Sequence, residues 1–254
     1  MLYVIEVGHN QASDRYIRNK KKAVEDAGMQ VGVINLPEDA TTETIVDTIR
    51  DCTWEEDCNA IMVQLPLPDH VDKNKVFKNI PPALDIDGLN PGSGYKPLTP
   101  CAIMRWFRET GVSLAGKNIV IFGKSDLVGK PLALMCMEAG ATVTVCNSKT
   151  SERTKQRACF WADIIVSAVG KAFAVTEDYI PTCLDPKIIV DVGINKDENG
   201  RLCGDVSPKA RELIEKNGGM CTPVPGGVGL WTVQELVVRL GEMEAEYGMG
   251  VRYE

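Results

Sequence analysis

Short apolar, β-branched runs alternate with amphipathic stretches along almost the whole chain, and this alternation restricts the fold more than any other feature. The runs cover residues 2–7, 31–36, 60–65, 118–122, 142–146, 163–168 and 187–192. Strands of that length separated by helical segments predict an α/β protein with largely parallel sheets. Helix signals fall between them. Thr99-Pro100 and Ser207-Pro208 each place an N-cap before a first-turn proline. Thr232-Val-Gln-Glu235 spells a capping box that opens a final helix over 232–247. Gly28, Gly111 and Gly140 stand where helices should stop. The expected domain boundary lies near 111–116. Residues 113–229 form one nucleotide-binding domain, and 1–112 with 230–254 form the other.

Charge and cysteine usage exclude several function classes. A net charge of −7 argues against nucleic-acid binding, which needs a basic surface. The one basic cluster is local: Arg15, Arg18, Lys20, Lys21 and Lys22. Nine cysteines form no Cys-x-x-Cys pair, and the histidines are His9 and His70, so neither a metal site nor a disulfide framework is expected. Dispersed cysteines suit a reducing cytoplasm. No signal peptide and no membrane-length apolar stretch is expected.

The run 118–122 leads into Gly123-Lys-Ser-Asp-Leu-Val-Gly129-Lys-Pro131. A glycine-punctuated turn between strand and helix lets backbone approach a pyrophosphate, and the helix start supplies free N–H groups. The spacing is not Gly-x-Gly-x-x-Gly, so a tight turn without a ligand stays open. The next run ends in Asn147-Ser148-Lys149-Thr150, with no acid to hold ribose hydroxyls. With Lys124 in the first turn, this predicts NADP rather than NAD.

Four further features precede or follow that half. Tyr16 and Lys20 are four apart on an expected helix, hence on one face. A phenol beside a partly buried ammonium is one route to an acid–base lysine; a solvated surface pair is the plainer reading. Gln64 ends the run at 60–65 just before Pro66, where it either caps a loop or faces a ligand. Asp87, in Leu84-Asp85-Ile-Asp87-Gly88, offers a carboxylate to an amino-pyrimidinone edge, or else forms an Asx-type turn. The loop Thr222-Pro-Val-Pro225-Gly226-Gly227-Val-Gly229 either lies against a flat ligand or is a hinge.

Taken in order, six motifs resemble one family. They are Tyr16-x-x-x-Lys20, Val63-Gln64-Leu-Pro-Leu-Pro68, Asp85-Ile-Asp87-Gly88, Gly123-x-Ser125-x-x-Val128-Gly129-x-Pro131, Asp191-Val-Gly-Ile194-Asn195 and Pro223-Val-Pro225-Gly226-Gly227-Val-Gly229. The family is methylenetetrahydrofolate dehydrogenase/methenyltetrahydrofolate cyclohydrolase, and the resemblance covers nearly the whole chain. It implies two α/β domains around a cleft, one a substrate domain and the other a Rossmann-like NADP-binding domain. It also implies tetrahydrofolate substrates and a homodimer joined through the cofactor domains. By the same resemblance Lys20 is the catalytic lysine, Tyr16 stacks on the folate, Gln64 tunes the lysine and Asp87 binds the pterin. Gly123, Lys124, Ser125, Val128, Gly129, Ser148 and Lys149 match cofactor positions. Gly170, Ile194, Pro225, Gly226 and Gly227 match segments lining the nicotinamide and folate pocket.

Three departures accompany the match. The chain starts almost at the first strand, where the family usually carries a helix. The connection 90–99 is shorter than usual. Leu230-Trp231-Thr232 replaces the usual Pro-Met-Thr, so Trp231 is expected to narrow the folate pocket rather than fill the core. Two rivals share parts of this pattern: a shikimate-dehydrogenase-like NADP oxidoreductase, and a paralogue that binds folate or nucleotide without turnover.

Overall fold

A computed structural model describes residues 1–8, 11–180 and 187–248, and for 11–16 and 247–248 the backbone only. The chain divides into two compact units, Met1–Leu98 with Val233–Glu254, and Thr99–Thr232.

The first unit contains β1 (Leu2–Val7), α1 (Gln11–Asp26), β2 (Val31–Leu36), α2 (Thr42–Thr53), β3 (Ala60–Val63) and α3 (Lys73–Asn79). Its three strands are parallel in the order β2-β1-β3. Period-two alternation sorts their side chains to two faces. Ile5, Val7, Ile61 and Val63 pack with α2 and α3 residues such as Ile45, Ile49 and Val76. Leu2, Val4, Ala60 and Met62 pack instead with Ile17 and Val24 of α1. β3 ends at Val63, short of the expected residue 65. Gln64 still donates its N–H to Ile5 O at 2.9 Å, and the chain then leaves the sheet at Pro66, which has no N–H to donate.

The second unit holds α4 (Leu98–Glu109), β4 (Asn118–Phe122), α5 (Gly129–Glu138), β5 (Thr142–Cys146), α6 (Glu152–Trp161), β6 (Ile164–Ser167) and β7 (Ile188–Asp191). The short β8 (Asn195–Lys196), β9 (Leu202–Cys203), α7 (Pro208–Lys216) and β10 (Met220–Cys221) follow, and α8 (Val228–Gly248) runs on into the first unit. Five parallel strands take the order β10-β7-β6-β4-β5. Both faces are covered. Ile119, Ile121, Ile164 and Val166 pack with Ile103 and Phe107 of α4 and Leu132 of α5. Val120, Ile165 and Ile189 pack on the other side with Cys159, Ala210 and Ile214 of α6 and α7. Each such fully buried aliphatic side chain contributes about 1.5–3 kcal/mol.

Two local expectations are corrected. Thr232 does not open the last helix, which begins at Val228; its Oγ1 donates to Val228 O at 3.0 Å, one turn back inside the helix. Thr99 and Pro100 likewise lie within the first turn of α4, which begins at Leu98. That helix groups with the second unit, because its apolar face belongs to the β4 and β6 core. Ser207 does cap α7, accepting from Ala210 N at 3.1 Å. Among the described residues no helix is long and apolar enough to cross a membrane.

Candidate active site

Lys20 lies on the buried stripe of α1. Ile17 and Val24 flank it at helical spacing and pack into the core, which carries the ammonium in among apolar side chains. Nζ donates to Gln64 Oε1 at 3.1 Å and to Met62 Sδ at 3.2 Å. Met62 and Gln64 alternate along β3 and its extension, so both face α1. The Gln64 amide is fixed from its other end, where Nε2 donates to Leu65 O at 2.6 Å and leaves Oε1 to the lysine. Tyr16 is in α1, but its side chain lies outside the described residues.

Asp87 completes a charged group with Lys20 and Arg239. Burial pushes the Lys20 ammonium below the ordinary lysine pKa, and the Asp87 charge partly restores it. Burial pushes the Asp87 carboxyl up, against the pull of Lys20 and Arg239. The turn that the sequence left open belongs to Asp85. Its carbonyl accepts from Gly88 N at 3.2 Å and its Oδ2 from Asn90 N at 2.7 Å. Asp85 therefore shapes the loop, and Asp87 keeps its carboxylate for other work.

Arg239 carries no motif and is not singled out by the sequence. It is buried on α8, donates from one Nη to Ile86 O at 2.8 Å, and lies over the Tyr95 ring at 5.4 Å. The signal was its register: Leu236, Leu240 and Met243 make the buried stripe of that helix, and Arg239 falls within it. Lys20 between Ile17 and Val24 carries the same signal. A cation in an apolar stripe needs partners, and here each has them.

In the second unit the chain runs from β4 to β5 on one side and then crosses to β6 on the other. Loops leaving the carboxyl ends of β4 and β6 therefore border a topological switch point, where open α/β sheets take ligands. Gly123 follows β4 at φ 111°, and a Cβ there would overlap Ala168 O in the loop after β6. A Cβ on Gly129, the first residue of α5, would overlap Gly123 O. The turn is thus bare backbone at the start of a helix, a cradle that side chains would fill. Val128 precedes that helix. Ser125 Oγ accepts from Val128 N at 3.2 Å and Gly129 N at 3.4 Å, so it braces the turn against the start of α5. Lys124, Ser148 and Lys149 are exposed. Asn147 organises the second loop by accepting Lys149 N at 2.8 Å on Oδ1 and Thr150 N at 3.0 Å on its carbonyl. Gly170 and Ile194 are exposed on the loops after β6 and β7.

Pro225, Gly226 and Gly227 lie in the second unit, with Pro225 and Gly226 exposed and Gly227 buried. Trp231 is half-buried and packs against the β4 and β6 core cluster. Leu230 beside it is exposed. Among the described residues no cluster of His, Cys, Asp and Glu could hold a metal ion.

Fold and site together define a class: two-unit α/β enzymes in which a doubly wound, nucleotide-binding unit accompanies a smaller unit with a buried lysine. Two family models narrow it. The tetrahydrofolate dehydrogenase/cyclohydrolase catalytic domain matches residues 1–87, and the NAD(P)-binding domain of the same name matches residues 97–246. The chain belongs to the tetrahydrofolate dehydrogenase/cyclohydrolase family. The bifunctional protein FolD of Lachnoclostridium phytofermentans is 41% identical over 248 residues, covering 93% of this chain and 84% of its own. FolD of Streptococcus pneumoniae is 41% identical over 245 residues, covering 93% and 83%. Among solved structures, the Campylobacter jejuni FolD superposes with a TM-score of 0.88 at 36% identity, covering 97% of this chain and 88% of its own. The Trypanosoma brucei enzyme, complexed with NADP cofactor and inhibitor, gives a TM-score of 0.88 at 33% identity, covering 99% and 88%. Shikimate 5-dehydrogenase from Thermus thermophilus shares the fold alone, with a TM-score of 0.57 at 17% identity.

Proposed function

We propose that this chain oxidises 5,10-methylenetetrahydrofolate to 5,10-methenyltetrahydrofolate with NADP and hydrolyses the product to 10-formyltetrahydrofolate. The observation that carries the reading is the Lys20–Gln64 hydrogen bond on a buried helix stripe, with Asp87 supplying opposite charge. The reacting carbon lies between two nitrogens, so losing hydride leaves a stabilised cation and needs no strong base there. NADP, when bound, accepts the hydride. Hydrolysis is different, because water must be delivered and protons moved as the ring opens. Lys20 moves those protons. Burial pushes its pKa below the ordinary lysine value, and Gln64 Oε1 holds Nζ in one direction. Tyr16 stacks on the folate, and Asp87 accepts from its amino-pyrimidinone edge.

The bare turn between Gly123 and Gly129 fits a pyrophosphate against the start of α5. Ser148, Lys149 and Lys124 meet the 2′-phosphate, and Gly170 and Ile194 border the nicotinamide. The doubled variant Ser148→Ala with Lys124→Ala should raise KM for NADP about tenfold or more while NAD kinetics barely move. Equal losses for the two cofactors would remove these residues from phosphate recognition.

Asp87→Asn gives a pH test. Asp87 raises the Lys20 pKa, so removing its charge lets burial drive that pKa lower still. The limb of the hydrolysis profile that Lys20 controls should shift to lower pH, whichever protonation state is active. For stability the sign follows from linkage. Between its lowered folded pKa and the unfolded value, Lys20 binds fewer protons folded than unfolded. Its contribution therefore rises with pH across that window and is lost as pH falls through the folded pKa. An unmoved hydrolysis profile would separate Asp87 from Lys20.

Two copies associate through the second units. β5 is an edge strand with Val145 exposed, and Leu134 and Met137 are exposed on the neighbouring α5. An apolar edge of that kind suits pairing with a second copy. The described cysteines are all free, which suits a cytoplasmic enzyme of one-carbon metabolism. Spectrophotometric assay with methylenetetrahydrofolate and either NADP or NAD tests the whole reading. Turnover of shikimate instead, or binding of both ligands without turnover, would overturn it.

A further inference from the structure

We propose that Asp205 is the positioning residue of the dinucleotide crevice, an inference that rests on the NADP-dependent reading above. The side chain is fully buried and receives five hydrogen bonds. Oδ2 accepts from Ser167 Oγ at 3.0 Å, Val169 N at 2.7 Å and Gly170 N at 3.2 Å. Oδ1 accepts from Lys171 N at 3.0 Å and Asn195 Nδ2 at 2.9 Å. One carboxylate thus ties the loop after β6, which carries Gly170, to the loop after β7, which carries Ile194. Both segments border the carboxyl edge of the sheet beside the switch point.

Asp205 is itself held. Its N–H donates to Asp191 Oδ1 at 2.9 Å, and Val206 N donates to Asp191 Oδ2 at 3.1 Å. Asp191 also accepts Gly193 N at 3.1 Å and lies 3.7 Å from Arg211. Glycine makes room for both carboxylates: a Cβ on Gly193 would overlap Asp205 Oδ1, and one on Gly204 would overlap Asp191 Oδ2. The two aspartates, on different segments, brace three loops against one another.

This brace has a consequence for where the cofactor's charge goes. The successive N–H groups of Val169, Gly170 and Lys171 make a nest of the kind that takes anions. Here an internal carboxylate fills it, so a phosphate finds neither free donors nor favourable charge. The pyrophosphate is left to the turn at Gly123 and Gly129, and the β6 and β7 loops serve the nicotinamide end of the ligand, which carries no phosphate. Asp205 acts on hydride transfer through those loops and touches no reacting atom.

Asp205→Asn keeps the shape but turns an NH₂ toward donors, so the loops must move. In the full chain NADP Kd, measured by calorimetry, and KM for NADP should rise about tenfold or more, the scale of small displacements in a preorganised site. Hydrolysis of methenyltetrahydrofolate without dinucleotide should stay within about twofold, since Lys20 lies in the other unit. Equal loss of both activities would make Asp205 merely structural, and unchanged NADP binding in a folded variant would dismiss the brace. If Asp205→Asn does not fold, Asn195→Ala decides. It removes only the contact on the β7 side, and a smaller rise in NADP Kd with hydrolysis retained is expected; no rise overturns the proposal. Calorimetry also keeps the two readings apart. Wild-type chain that binds NADP without reducing it would end the dehydrogenase reading, while the effect of Asp205→Asn on binding would still be measured.

Discussion

Lys20→Met should reduce cyclohydrolase activity by a factor on the order of 10² or more, the usual scale of acid–base catalysis. Methionine keeps the length of the stem and removes the ammonium with its protons. The fold should tolerate the change. Ile17 and Val24 flank Lys20 along a buried stripe, Met62 Sδ meets its Nζ, and burial disfavours the charge that is lost. Replacing a buried ion pair as a whole by hydrophobes is often neutral, but removing one partner is destabilising, and here Arg239 remains to oppose the Asp87 charge. One cost remains, because Gln64 Oε1 loses its donor, about 1–3 kcal/mol if water does not reach it. Dehydrogenase activity should fall less, so the measurement is the ratio of the two losses on one preparation. Hydrolysis at near wild-type rate in a folded variant would falsify the acid–base role of Lys20.

Strand positions were readable because they depend on local, periodic signals. The runs at 2–7, 31–36, 118–122 and 142–146 became β1, β2, β4 and β5 without a shift at either end. Gly28, Gly111 and Gly140 likewise adopt positive φ where helices were expected to stop. Failures came where a local signal competes with packing. Thr232-Val-Gln-Glu235 has capping-box spelling, yet Val228 upstream is buried in the β4 and β6 core, and the helix starts there. The membership of α4 was invisible for a similar reason, since an amphipathic helix does not encode which sheet covers its face.

The candidate site divides along the same line. Lys20 and Gln64 stand at recognisable places on a helix and at a strand end, and a direct hydrogen bond joins them. Asp85 and Asp87 were indistinguishable by spacing, and only the loop geometry assigns the turn to Asp85. Arg239 and Asp205 are long-range partners, drawn to Ile86 and to Gly170 by contacts that no short motif records. Both nonetheless break a rule visible in the folded chain, a charge where burial is nearly complete.

Gly129→Ala should do the converse of Lys20→Met, crippling hydride transfer while hydrolysis survives. The added Cβ would overlap Gly123 O and come within 2.7 Å of Gly123 C and 3.1 Å of Lys124 Cα. All three are backbone atoms, so no side chain can swing aside. The turn must open or the start of α5 must shift, at a cost of about 1–3 kcal/mol for overpacking. Either movement displaces Val128 and Gly129, whose N–H groups Ser125 now holds at the head of the helix. A pyrophosphate would lose the close backbone approach, and NADP affinity should fall by a factor on the order of 10². Leu132, Ala133 and Cys136 keep α5 anchored in its core, so the second unit should remain folded at a lower melting temperature. Calorimetric titration with NADP and a dinucleotide-free hydrolysis assay, both below that temperature, check the expectation. Wild-type NADP affinity in the variant would show that the turn after β4 does not receive the cofactor.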